Sequence, residues 1–222
     1  ILVIPAMELT SFYGHTNFFG LAQPLDDWRC RSPQDVAAKM QEAKAKGATI
    51  VINHPFQNSA GGRWQSGFDT CFDAYEIWNG NWSAMNEQGL AFWQELLVQG
   101  RRIPATGGSD FHLKNRRRHG RPSNRLMSDG HSISAILEAV RAGRNVVCHS
   151  PDEAMAKPAG ADAPEFGSSV QSGTVIPMEF SGLSAGDEIR VITEKGKIAS
   201  QTAQTATVLM DGKLDGRFLR FE

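Results

Sequence analysis

From residue 1 to about 150, short apolar and β-branched runs alternate with stretches whose apolar residues recur at helical spacing, the pattern of βα units around a parallel sheet. The runs predicted as strands are Ile1 to Glu8, Ala48 to Asn53, Ala74 to Trp78, Ile103 to Thr106 and Asn145 to Cys148. A first helix is expected to start after Ser32, an N-cap followed by Pro33 at the first helical position, and to stop at Gly47. Its apolar face is Val36, Met40 and Ala43. A second covers Asn86 to Gln99 with Leu90, Trp93, Leu96 and Leu97 on one face, and a third covers Ser132 to Ala142 with Ile133, Ile136, Leu137 and Val140. Gly47, Gly100 and Gly143 follow the three helices as C-caps, where the chain turns left-handed.

Beyond Ser150 the pattern changes. Residues 151–167 are rich in Ala, Pro, Gly and Asp without a clear period, and read as a linker or excursion. Short alternating segments follow at Val175 to Phe180, Glu188 to Glu194 and Thr205 to Met210. The turn signals Ala185-Gly186-Asp187, Lys195-Gly196-Lys197 and Asp211-Gly212-Lys213 separate them, so residues 168–222 are expected to form a small antiparallel β-module. The expected organisation is therefore a unit over 1–150, the linker over 151–167, and the β-rich module.

Composition narrows the classes of partner. The chain has 222 residues, room for one or two domains, and its 41% hydrophobic content includes no run long enough to span a membrane. A soluble protein is expected, cytoplasmic or periplasmic. A net charge of -1 gives no general reason to expect nucleic acid, although Lys114, Arg116, Arg117, Arg118, Arg121 and Arg125 make one stretch strongly basic. Cys30, Cys71 and Cys148 lack a CxxC spacing, against a structural zinc knot or a disulfide framework. The chain opens without Met, inside the apolar run Ile1 to Pro5, and reads as truncated or processed.

Residues able to bind metal gather at the ends of the predicted strands, where functional side chains collect in parallel βα folds. Glu8 closes the first strand, His15 lies on the loop after it, and His54 follows Asn53. Asp110 and His112 follow the fourth strand in Gly107-Gly108-Ser109-Asp110-Phe111-His112, two residues apart and on one side of an extended segment. Carboxylate with imidazole suits Zn, Mn or Fe. A lone Glu at a strand end is more often a surface residue, and His54 before Pro55 alone fits a loop histidine. Three strand ends carrying such residues together outweigh the ordinary reading of each.

Other side chains are weighed around these. Glu76 is placed to orient a ligand histidine from behind, and Asn79 either to join it or to cap a turn. His119, with Arg118 and Arg121, reads equally as an anion-binding loop and as an exposed basic loop. His131 precedes a helix cap and reads as structural, while His149 at a strand end is a weaker candidate. Trp64, Trp78 and Trp82 read as packing residues, with exposure in the Gly80-Asn81-Trp82 loop the alternative for Trp82.

In series, Glu8-Leu9-Thr10, Gly14-His15-Thr16-Asn17, Asn53-His54-Pro55, Glu76-Ile77-Trp78-Asn79-Gly80 and Gly108-Ser109-Asp110-Phe111-His112 resemble the PHP (polymerase and histidinol phosphatase) superfamily, in particular its CehA/McbA-like metallohydrolases. The resemblance covers residues 1 to about 150 in consistent order. It implies an α/β fold with a distorted TIM-like (β/α)7 barrel and a site for two or three divalent metal ions (Zn, Mn or Fe). It implies that Glu8 bridges metals, that His15, His54, Asp110 and His112 complete the ligand set, and that Glu8 and Asp110 serve the chemistry. The implied reaction is hydrolysis of a small-molecule ester by a metal-activated water with its pKa lowered toward about 7. A phosphoester comes first, with Arg118, His119 and Arg121 on its oxygens, and a carboxylic ester, amide or carbamate second. The family's opening His-x-His motif has no counterpart here, which implies that the first barrel strands lie outside this chain, and that it either works with an N-terminal fragment supplying the remaining ligands or is an incomplete piece of the active enzyme. The non-enzymatic alternative is a binding module in which the β-rich part recognises a partner.

Overall fold

The computed structural model describes residues 1–112 and 119–222. Its largest sheet grows from a hairpin. Strands β1 (Ala6–Ser11) and β2 (Gly14–Phe19) pair antiparallel, with Glu8 opposite Asn17 and Thr10 opposite His15. Gly14 closes the turn at φ +114°, and a Cβ there would lie 2.7–2.8 Å from Trp64, so only glycine fits. Strand β2 alternates cleanly: Gly14, Thr16 and Phe18 are buried, while His15 and Asn17 share the opposite face. It pairs antiparallel with β3 (Thr49–Asn53), every residue of which is buried. Parallel pairing begins only there, from β3 to β4 (Ala74–Asn79) and on to β5 (Ala105–Gly108).

The expected TIM-like barrel is not what forms. The sheet has the linear order β1-β2-β3-β4-β5, and among the described residues no sheet closes or curls into a barrel. The reason is local. A parallel barrel needs a crossover of a dozen or more residues between neighbouring strands, whereas Phe12 and Tyr13 alone separate β1 from β2 and force antiparallel pairing. The next strands, β6 (Ser123–Leu126) and β7 (Asn145–Cys148), form a separate antiparallel pair. The architecture is mixed α/β with several small sheets.

Helix α1 (Pro33–Ala45) follows its sequence signals: Ser32 Oγ accepts from the Asp35 amide at 3.2 Å, and Val36, Met40 and Ala43 are buried. These pack with Leu9, Phe18, Ile50, Ile52 and Trp64 into the main core. Helix α2 (Ala84–Val98) lies on β4, with Leu96 joining Tyr75 and Ile103, and Phe56, Phe68 and Phe92 packed around them. Helix α3 (Ile133–Ala142) is capped by Ser132 and ends at left-handed Gly143.

The C-terminal residues form two three-stranded sheets. One contains β8 (Met155–Pro158), β9 (Val175–Ser181) and β12 (Thr207–Lys213), and the other β10 (Glu188–Thr193), β11 (Gly196–Thr202) and β13 (Arg220–Phe221). Met178, Phe180, Ile189, Val191 and Val208 fill the space between them. The stretch read as a linker or excursion carries β8, and one expectation changes: Asp211-Gly212-Lys213 ends a strand instead of turning. Gly212 is small because the Phe221 and Leu219 side chains occupy the place of its Cβ. This module rests on α2: Gln94 donates to Thr193 O at 2.8 Å, Arg217 to Val98 O at 2.6 Å, and Arg220 to Gln94 at 2.9 Å. Among the described residues no helix is long and apolar enough to cross a membrane.

Candidate metal centre

Strand register builds the centre. Residues opposite one another, or two apart on one strand, share a face. Glu8 and Thr10 of β1, His15 of β2 and Asn53 of β3 therefore project together, away from the face of Leu9, Thr16 and Ile52 that fills the core. His15 was expected on a loop; it stands on a strand, which fixes its direction more tightly. Glu8 Oε1 accepts from Asn53 Nδ2 at 3.0 Å and lies 3.4 Å from His15 Nδ1. The His15 and His54 rings meet edge to face, their centroids 4.9 Å apart.

His54 reaches this face by leaving the strand in a left-handed conformation, at φ +25°. A positive φ at a non-glycine residue costs energy and persists only where its surroundings enforce it. The enforcing contact is visible: the buried Glu76 carboxylate accepts the His54 amide at 2.6 Å. Asn79 Nδ2 also donates to Glu76, at 3.3 Å, and buried Asn86 holds Asn79 through its amide and carbonyl. Glu76 thus orients a centre residue from behind, through its backbone.

Glu8, His15 and His54 offer three ligand atoms within 4.8 Å of one another, a cluster that can coordinate a single metal ion. Two imidazoles and a carboxylate are a ligand set used where coordination positions stay open to substrate or water. The protonation states suit a cation. The hydrogen bond with His15 outweighs partial burial and holds Glu8 ionised down to about pH 2. Burial and the neighbouring His15 lower the pKa of His54, leaving its imidazole neutral with a lone pair to give. Among the described residues, His54 Nδ1 is buried without a hydrogen-bond partner, an orphan that coordination would satisfy.

Asp110 stands beside this group without being one of the three. Its charge acts on both His54 and Glu76, and it too is left-handed, at φ +46°. That conformation replaces the extended geometry expected between Asp110 and His112, although the two side chains still meet. His112 instead turns back, its Nδ1 2.9 Å from Asp110 O and 3.2 Å from Asp110 Oδ1, and its side chain is 75% exposed.

The remaining expectations scatter. His119 is exposed and packs its ring on Phe111, with Arg121 partly buried two residues on. Arg118 lies outside the described residues. His131 is exposed ahead of the Ser132 cap, and His149 bonds Glu153 at 2.7 Å while stacking on Trp78. Asn53 and Asn86 were not singled out as site residues. Asn53 becomes recognisable once His15 is placed on a strand, because it then lies directly opposite. No protein-family model, curated protein or solved structure matches the chain, so what the centre does follows from its own geometry.

Proposed function

We infer that this chain acts as a metal-dependent hydrolase of a small-molecule ester, with a phosphoester as the first substrate class. The observation that carries the reading is the convergence of Glu8, His15 and the orphaned Nδ1 of His54 within 4.8 Å. Asp110 and His112, 3.2 Å apart at its edge, are the residues that would hold a second or third ion, as the resemblance to PHP metallohydrolases implies. Zn, Mn and Fe all suit this donor set. A bound ion supplies Lewis acidity and lowers the pKa of water.

The chain's own residues do the rest. Asn53 fixes the Glu8 carboxylate, Glu76 with Asn79 fixes His54, and Glu8 and Asp110 are the candidates for moving protons at the reacting atoms. Arg118, His119 and Arg121 are the candidates for neutralising phosphoryl oxygens. One observation favours a second reading, hydrolysis of a carboxylic ester, amide or carbamate. Among the described residues lining the cleft beside His54 and Glu76, none is Lys or Arg.

The test is a substrate panel, an aryl phosphoester against an aryl carbamate, on protein stripped with chelator and reloaded with Zn2+ or Mn2+. Metal-dependent phosphoester hydrolysis that disappears in His54→Ala is the expected result. Preference for the carbamate transfers the assignment to the second reading, and hydrolysis of neither by metal-loaded protein overturns both.

A further inference from the structure

Beside His54 and Glu76 the end of β4 and the first turns of α2 enclose a cleft of about 260 Å³. Phe56, Ile77, Trp82 and Met85 line it with apolar surface, and Gly89 leaves space where α2 faces it. Several polar side chains in its wall bond to the protein itself, while Gln57 Oε1 and His54 Nδ1 are buried without a hydrogen-bond partner among the described residues. Asn86 Oδ1 accepts from the Asn79 amide at 3.0 Å, and Asn86 Nδ2 donates to the carbonyls of Asn79 and Asn81 at 3.2 and 3.1 Å. Trp82 Nε1 donates to Glu87 at 3.1 Å. Glu76 Oε2 accepts from His54 and Asn79.

A charged ligand group entering this cleft would lose water. An anion would lose its water with the ionised Glu8 nearby, and would find no Lys or Arg among the described lining residues to replace it. A cation would meet a Glu76 carboxyl already engaged by two donors. An uncharged apolar group loses nothing on desolvation and gains the walls.

The geometry points to this cleft as the specificity pocket for an uncharged apolar part of the substrate, the size of a branched alkyl chain or a single ring. It rests on the hydrolase reading for the identity of the reacting end, which lies at Glu8, His15 and His54. Met85 and Gly89 set the size of group accepted, and half-exposed Trp82 forms the lip.

Three probes of similar shape test it on metal-loaded protein by ligand-observed NMR: benzyl alcohol, benzoate and benzylammonium. Benzyl alcohol is expected to bind at least about tenfold more tightly than either ion. Gly89→Leu is expected to weaken it about tenfold with metal content unchanged. A Cβ at Gly89 meets only Tyr75 Oη at 3.9 Å and Phe56 at 4.0 Å, so the new side chain enters the cleft without displacing backbone. Should Gly89→Leu not fold, Met85→Ala must instead tighten binding of 4-tert-butylbenzyl alcohol. Equal or stronger binding of either ion, or unchanged affinities in the folded variants, overturns the proposal. Selective binding by a protein that takes up no metal would sink the hydrolase reading and leave the pocket; metal uptake without selectivity would do the reverse.

Discussion

Glu76 ties the stability of the fold to the chemistry of the centre. Its carboxyl is buried in the sheet, and desolvation, with the charges of Asp110 and Glu8, pushes its pKa from 4.5 up to about 8 against the pull of the His54 and Asn79 hydrogen bonds. Raised in the folded chain, this pKa makes the native state hold a proton that the unfolded chain releases above about pH 4.5. The group's contribution is therefore intact at and below that pH and declines as pH rises through about 8. At about 1.4 kcal/mol for each tenfold change, the span from 4.5 to 8 corresponds to roughly 5 kcal/mol. This is a ceiling, because local opening that hydrates the carboxylate caps the loss.

Even half of that is a large part of a domain's usual stability. Urea unfolding with chelator present, from pH 5 to 9, reads it directly. Wild type should lose stability steeply over this range relative to Glu76→Gln, which cannot ionise and retains an oxygen for the His54 amide. A divalent ion should restore wild type at pH 9 more than the variant, since a cation beside the carboxylate favours its ionised form. Parallel pH profiles for the two proteins would refute the placement of a buried, charge-strained carboxyl behind the centre.

Three further outcomes follow from the same geometry. His54→Ala should weaken Zn2+ or Mn2+ binding by more than about 100-fold, since loss of supporting partners alone costs about 10- to 100-fold; isothermal calorimetry measures it. Asn53→Ala, which releases Glu8 without removing a ligand, should fall within that 10- to 100-fold range. Gly14→Ala should destabilise the chain by about 2 to 4 kcal/mol in denaturant unfolding, from the left-handed backbone and from overlap with Trp64.

Where local signals are complete, sequence pattern and structure agree. Ser32-Pro33 opens α1, Gly143 closes α3, and His54 does stand at the end of a buried strand. Strand direction was not legible. Gly14-His15-Thr16-Asn17 looks polar and loop-like, yet Thr16 and Phe18 point inward at period two, and the short connection makes β2 the antiparallel partner of β1. The order of ligand motifs that resembles a barrel family carries no information on this pairing, which is why the barrel expectation failed while Glu8, His15 and His54 still met. Asp110 and His112 meet by another route than the extended segment expected, because alternation holds in extended backbone and Asp110 is left-handed. Asn53 acts through a contact 45 residues away in sequence, to Glu8, which periodicity does not encode.

The central claim is that Glu8, His15 and His54 hold a divalent ion. Calorimetric titration of chelator-treated protein with Zn2+ and Mn2+, paired with elemental analysis after gel filtration, tests it most directly. At least one ion per chain in wild type, lost in His54→Ala and in Glu8→Ala at unchanged fold, is the predicted result. No ion retained by wild type, or equal retention by the folded variants, would contradict it.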